Sequence, residues 1–266
     1  MNFLSYCALV LLLGLSLGMF VRLFRRVYAG GGDSVQIEFF SKFDLIWVSL
    51  IVFLMLWAFA VSAASTQRIN SENIDTVEML KDVSIWWSAI LGPTLLSLKM
   101  RGSKLGSVFG LDRMPVGRSL LLGIALLISA LPLVFAVDYV ASILLKANPT
   151  TDAQEVIQIF ENASSGAQRI PIIVLAVVVA PVAEELAFRG YIYGVIKRYV
   201  GAIPALVLSG ILFALIHGNL PSFFPLLVLA SVFALAYELS GSLLVPMTMH
   251  ALFNAFSLIL VLVEQK

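Results

Sequence analysis

Charge is scarce in this chain, and so is cysteine. Lys, Arg, Asp and Glu make up 12% of the 266 residues, about half the roughly 25% typical of a soluble domain. The seventeen basic and sixteen acidic residues nearly cancel, to a net +1. That leaves no surplus of either sign to attract nucleic acid or an acidic partner. Cys7 is the single cysteine, which excludes an internal disulfide framework and a multi-cysteine metal site. Inside an apolar run with no cation nearby, it reads as a buried, unreactive thiol. No repeat or low-complexity tract stands out. No basic segment precedes the first apolar run, which argues against a cleavable signal peptide.

What the chain has in excess is apolar residues, six in ten. One soluble core of this size could not bury them, so lipid must be part of the solvent. Eight runs are long enough to be spans: about 3–21, 45–64, 83–98, 119–145, 170–188, 202–217, 223–239 and 242–262. The expected fold is therefore all-α, a polytopic transmembrane bundle of about eight spans enclosing a polar cavity. It reads as a single membrane domain over 1–266, with four N-terminal spans in 1–145 and a catalytic four-span core in 170–262. The seventh run is short and reads as tilted or partly re-entrant. Pro93, Pro132, Pro181 and Pro246 fall inside runs, as membrane helices tolerate.

Basic residues alternate between the loops. The first loop has Arg22, Arg25, Arg26 and Lys42, the third Lys99, Arg101, Lys104, Arg113 and Arg118, and the fifth Arg189, Lys197 and Arg198, together twelve of the seventeen. The positive-inside rule then puts the odd loops in the cytoplasm and both termini outside it. Short loops and the lack of a targeting extension point to a bacterial inner membrane. Residues 65–82, with Arg68, Glu72 and Asp75, read as a surface segment. The amphipathic stretch Ala153 to Phe160 reads as a connecting helix, with an interfacial or gating helix as the alternative. Trp86 and Trp87 read as membrane-interface anchors, and Asp138 and Glu238 as interface residues at span ends. Asn162-Ala163-Ser164 has the form of a glycosylation acceptor, a short motif of little weight.

Ionisable groups within spans are costly and mark function by default. The fifth run holds two adjacent carboxylates, Glu184 and Glu185, followed by Arg189. Adjacent helical residues point about 100° apart. Glu185 and Arg189, spaced i,i+4, pair on one face, and Glu184 is left facing elsewhere without a cation, a setting suited to a general base. Both histidines, His217 and His250, also lie in runs, and His250 shares a helix face with Asn254. If the fifth helix continues to a turn at Gly201, Glu184 and His217 each lie roughly 25 Å from that turn, at the same level on neighbouring helices. His250 and Asn254 lie roughly 14 to 20 Å beyond the turn at Ser240-Gly241-Ser242. A helix break at Gly190 would spoil this registry. Taken singly, each histidine is as well explained by an interhelical hydrogen bond, and the Glu185–Arg189 pair by structure alone.

Together the motifs Glu184-Glu185-x-x-x-Arg189, Phe213-x-x-x-His217 and His250-x-x-x-Asn254 resemble those of the CPBP family, the CAAX prenyl proteases and bacteriocin-processing enzymes also called the Abi family. Every motif position matches, over about 170–262. The resemblance implies an intramembrane endopeptidase acting on a membrane-associated peptide or protein. It implies that Glu184 and His217 activate water and that His250 and Asn254 serve the oxyanion, with Glu185, Arg189 and Phe213 in structural support. Peptide hydrolysis needs just such a base and such donors, and no serine or cysteine is well placed as a nucleophile.

No cofactor is expected on this reading. The alternative is a zinc site, with Glu184, His217 and His250 as three ligands and one open position, although the His-Glu-x-x-His arrangement is missing. Two further classes stay open: a non-catalytic scaffold or immunity-type protein in which the motifs only hold helices together, and a proton-coupled transporter, for which no paired internal repeats are apparent.

Overall fold

A computed structural model describes residues 3–30, 34–64, 76–146, 155–162 and 165–264. Most of the surface segment expected at 65–82, the start of the stretch from Ala153, and Ala163-Ser164 of the acceptor motif lie outside the described residues. Among the described residues all regular structure is helical. The helices are α1 Phe3–Gly30, α2 Lys42–Ala64, α3 Thr76–Met100, α4 Leu105–Val108, α5 Val116–Leu145 and α6 Glu155–Asn162. They continue with α7 Gly166–Val200, α8 Ala202–Ile216, α9 Leu220–Ser240 and α10 Leu244–Glu264. Six (α1, α2, α5, α7, α9 and α10) are long and apolar enough to cross a membrane. With α3 and the shorter α8 they supply one helix for each of the eight expected spans, and the chain is an integral, multi-pass helical bundle.

The helices overrun the apolar runs because long basic side chains keep their heads in water while their stems lie along apolar surface. Thus α1 continues past Arg22, Arg25 and Arg26 to Gly30. The ends are set by local chemistry. Ser165 and Gln168 form a capping box at the start of α7, satisfying backbone N–H groups that have no partner within the helix. Gly201, at φ 87°, ends α7 and starts α8, and no break occurs at Gly190. Asn219 caps α9 by accepting from Ser222 N at 2.8 Å.

Two expectations change. The seventh span is a full helix of 21 residues; the short one is α8, with 15. At about 1.5 Å per residue, α8 reaches roughly 22 Å, less than the bilayer core. Its end at His217 therefore falls at membrane depth, where irregular backbone is tolerated only beside protein or a cavity. Cys7 is exposed rather than buried: it lies on the outer side of an apolar helix whose solvent is lipid.

The odd loops meet on one face. Leu243 N donates to Phe109 O at 3.1 Å. Lys197 Nζ donates to Val35 O at 2.9 Å and Arg198 Nη1 to Ile37 O at 2.8 Å. Asp44, fully buried, is bound by both terminal nitrogens of Arg101 at 2.6 and 2.7 Å, by Ser41, and by the Tyr191 hydroxyl at 2.8 Å. The bond to Asp44 stabilises the charged Arg101 guanidinium and holds its pKa above the ordinary value. Glu238 is likewise buried and accepts from Lys197 Nζ at 2.6 Å and the Tyr193 hydroxyl at 2.5 Å. It is therefore an internal ion-pair residue and not the interface residue expected from its place near a span end. The cation comes from another helix, which sequence spacing cannot reveal. Asp138, by contrast, is exposed on α5.

Candidate active site

The chemistry-bearing residues gather in the other half of the bundle, towards the even loops. They line a cavity of about 500 Å³ that includes Glu184, His217, His250 and Asn254. All four residues expected to meet do so around one space, brought there by α7, by the end of α8 and by α10. The unbroken α7 keeps Glu184 in register with His217 across the turn at Gly201.

Glu185 is fully buried and Arg189 nearly so. Arg189 Nη1 donates to Glu185 Oε1 at 2.8 Å and Nη2 to Ala230 O at 3.3 Å. The guanidinium also lies over two rings, Phe213 at 4.5 Å and Phe233 at 5.1 Å, favourable contacts for a desolvated cation. Phe213 touches both histidine rings, His217 with centroids 4.6 Å apart and His250 at 5.9 Å. Phe233 lies 5.3 Å from His250 and belongs to no motif; only its packing identifies it.

The same Glu185 oxygen receives a second bond, from His250 Nδ1 at 3.0 Å. Pairing with Arg189 is thus only half of what Glu185 does. A carboxylate accepts and does not donate, so His250 carries a proton on Nδ1 and turns Nε2 towards Glu184, 3.8 Å from its Oε2. That Glu184 oxygen is buried and has no hydrogen-bond partner. His217 is held by a different device: its Nδ1 lies 2.7 Å from Phe213 O. A carbonyl can only accept, so Nδ1 is protonated and Nε2 of the neutral ring has a free lone pair. Among the described residues no three His, Cys, Asp or Glu side chains form a group that could hold a metal ion.

Asn254 is anchored by a defect in α7. Residues Leu175–Val179 form a π-helical turn, in which Ala180 N–H bonds Leu175 O, five residues back. The next bond in that register would run from residue 181 to Ala176 O, but residue 181 is proline and has no N–H. Asn254 Nδ2 fills the gap by donating to Ala176 O at 2.8 Å. A second π-helical stretch, Leu186–Tyr193, follows Glu185. Such segments are often found at functional sites. Trp86 and Trp87 also line the cavity, so the aromatic pair read as a membrane anchor forms part of its wall.

Over 103 residues the chain is 35% identical to the membrane-embedded CAAX protease MroQ of Staphylococcus aureus (strain USA300), covering 35% of this chain and 40% of that protein. Over 94 residues it is 27% identical to YdiL of Bacillus subtilis (strain 168), covering 35% and 38%. The matched stretch thus spans about two fifths of the length of these curated relatives. No solved structure matches the chain. Residues 166–256 match the family described as type II CAAX prenyl endopeptidase Rce1-like. Glu184, Glu185, Arg189, His217, His250 and Asn254 all lie within that stretch, which is about a third of the chain.

Proposed function

We propose that the chain is an intramembrane endopeptidase that hydrolyses a peptide bond in a membrane-associated peptide or protein, with Glu184 as the base. One observation carries the reading: a buried Glu184 oxygen without a partner shares a cavity with His217, His250 and Asn254. Glu184 takes a proton from water as the water oxygen attacks the scissile carbonyl carbon, and His217, through its free Nε2, orients that water. The oxyanion is met by His250 and Asn254. His250 donates through Nε2 only when both ring nitrogens carry protons, and the carboxylates of Glu185 and Glu184 flank the ring on its two sides. An amide nitrogen has two donors, so Asn254 can hold Ala176 O with one and serve the oxyanion with the other. The collapsing intermediate expels the amine, which takes the proton held by Glu184. On this reading 170–262 is the catalytic core and 1–145 its support, in a bacterial inner membrane.

The reading requires no metal. Glu184→Gln preserves size and removes the base; it should accumulate in the membrane as the wild type does and lose peptide hydrolysis. Retained hydrolysis in that variant ends the assignment. Metal analysis of active, detergent-solubilised protein tests the zinc alternative. Activity should survive chelation. Stoichiometric zinc, with activity lost on chelation and restored by zinc, would overturn the metal-free mechanism and leave the protease assignment intact.

A further inference from the structure

A second cavity lies at the odd-loop face, between the last turns of α1 and α9. On α1 it is lined by positions 23, 26, 27 and 30, and on α9 by 235, 238 and 239. These are i, i+3, i+4 and i+7 spacings, so each helix offers one face to the space. Ser34 of the first loop completes the lining. The volume is about 190 Å³. One water occupies roughly 30 Å³, so the space holds far more than that. It is smaller than the roughly 300–1,000 Å³ that encloses a drug-sized ligand, and so suits the polar end of a larger molecule.

Two groups in the wall are unused. Glu238 is buried, and its Oε1 accepts from Lys197 Nζ and the Tyr193 hydroxyl. The Val35 backbone lies beside the same carboxylate, yet Oε2 is buried without a hydrogen-bond partner. A buried acceptor left unmade is costly. Arg26 is exposed, and among the described residues no carboxylate pairs with it. Val27 and Leu235, both buried, and the half-buried Leu23 supply apolar wall.

Charge narrows the ligand. Lys197 already compensates Glu238, at 2.6 Å. An ammonium at Oε2 would set a second cation beside the first, where like charges repel. A neutral hydroxyl donates without that cost. Arg26 leaves one positive charge for an anion, and a guanidinium matches phosphate through paired N–H groups. Position narrows the source. Both helices are long and apolar enough to span a membrane, and the cavity sits in their final turns, beside Arg22 and Arg25, whose heads seek water at the bilayer edge. From there Val21, Leu17 and Leu15 of α1 are exposed, an apolar surface for acyl chains to follow.

We propose that this cavity binds a phosphodiester that carries a free hydroxyl, with the phosphate on Arg26 and the hydroxyl donating to Glu238 Oε2. A phospholipid with a polyol headgroup presents these groups at the right depth; a soluble polyol phosphate presents them without acyl chains. The site is separate from the cavity of Glu184 and does not depend on the hydrolase reading.

The test uses the full-length protein, delipidated in a neutral detergent, with binding read by native mass spectrometry. The probes are phosphatidylglycerol, phosphatidylmethanol (the same charge and no hydroxyl) and phosphatidylethanolamine, all with identical acyl chains, and soluble glycerophosphoglycerol. Phosphatidylglycerol should bind roughly tenfold more tightly than phosphatidylmethanol, as for one hydrogen bond to a charged group, and more tightly than phosphatidylethanolamine. Glycerophosphoglycerol should compete only at much higher concentration. Arg26→Gln should weaken phosphatidylglycerol binding by roughly tenfold, and Arg25→Gln, which removes the same charge from an exposed neighbour outside the lining, should leave it near the wild-type value. Both residues are exposed, so the unfolding temperature without lipid should match the wild type. Equal affinity for phosphatidylglycerol and phosphatidylmethanol overturns the proposal, because water then serves Glu238. An equal loss in Arg25→Gln and Arg26→Gln overturns it in favour of a diffuse basic surface. Tighter binding of phosphatidylethanolamine overturns the hydroxyl assignment, and soluble glycerophosphoglycerol binding as tightly as the lipid overturns the lipid source.

Discussion

Two adjacent carboxylates in this chain have different surroundings, and the proposed roles follow that difference. Each keeps one buried oxygen without a partner, but Glu184 borders the cavity, whereas Glu185 lies outside its lining and gives its other oxygen to both Arg189 and His250. Replacing Glu185 by glutamine removes the charge that compensates Arg189 and leaves a neutral amide oxygen, a weaker acceptor, for Arg189 and His250. The Arg189 guanidinium then lies buried among that amide, Ala230 O and two aromatic faces without the carboxylate charge it paired with. Breaking a buried pair from one side typically costs about 3 to 5 kcal/mol. Glu185→Gln should therefore lower the unfolding temperature in detergent and also lower turnover, whereas Glu184→Gln should lower turnover alone. Thermal unfolding followed in parallel with peptide hydrolysis separates them, and an unfolding temperature unchanged in Glu185→Gln would show that Arg189 does not depend on it. The Glu185–Arg189 pair was legible from i,i+4 spacing. The His250–Glu185 bond was not, because it joins residues 65 apart and no local period encodes it.

At the scale of the helix, α7 is shaped by what Pro181 withholds. The missing N–H leaves Ala176 O without an intrahelical partner, and Asn254 reaches across from α10 to supply one. Asn254→Ala should thus have two effects. Leaving a carbonyl unsatisfied costs about 1 to 3 kcal/mol of stability, and losing an oxyanion donor lowers turnover by roughly two to three orders of magnitude. The two can be parted by returning the N–H. In a Pro181→Ala background the Asn254→Ala change should be less destabilising, with a coupling of about 1 kcal/mol, while turnover stays low. Recovery of turnover along with stability would mean that Asn254 acts only by holding α7. Elsewhere a glycine does comparable work between loops. Gly110 has φ 61°, and a Cβ there would come within 1.7 Å of Gly241 O, so Gly110→Ala should destabilise the junction of the third and seventh loops severely, read as loss of folded protein in detergent. Apolar runs and turn residues made the eight helices legible in sequence. The length of α8 was not, since hydropathy runs on to the point where the chain turns at Gly218, and neither were the π-helical turns, which depend on which carbonyl finds a distant donor.

Across the whole molecule, polar chemistry divides between two faces. Loops one, three, five and seven are tied together at one end through Arg101–Asp44, Lys197–Glu238, Arg198–Ile37 and Leu243–Phe109. The cavity with Glu184 and the histidines is lined from the other half, near α6 and the start of α7. The alternation of basic loops in the sequence anticipated that the odd loops share a side. The cavity's place relative to them required the helices to be set in space, because α3 contributes Val83, Trp86 and Trp87 to the wall and lies outside every motif. Basic residues concentrate in loops retained in the cytoplasm. If the odd-loop face is cytoplasmic, the cavity lies towards the outer half of the bilayer, and substrate reaches Glu184 from that side. Single cysteines in a Cys7→Ser background test this at positions exposed on opposite faces, Lys104 in the third loop and Glu161 on α6. In right-side-out membranes, a charged, membrane-impermeant thiol reagent should label Glu161→Cys and leave Lys104→Cys untouched until the membrane is opened. The reverse pattern would invert the bundle and move the cavity to the cytoplasmic half. Labelling of both from outside would break the shared-side arrangement, since no single orientation of this fold exposes the odd-loop face and α6 to one compartment.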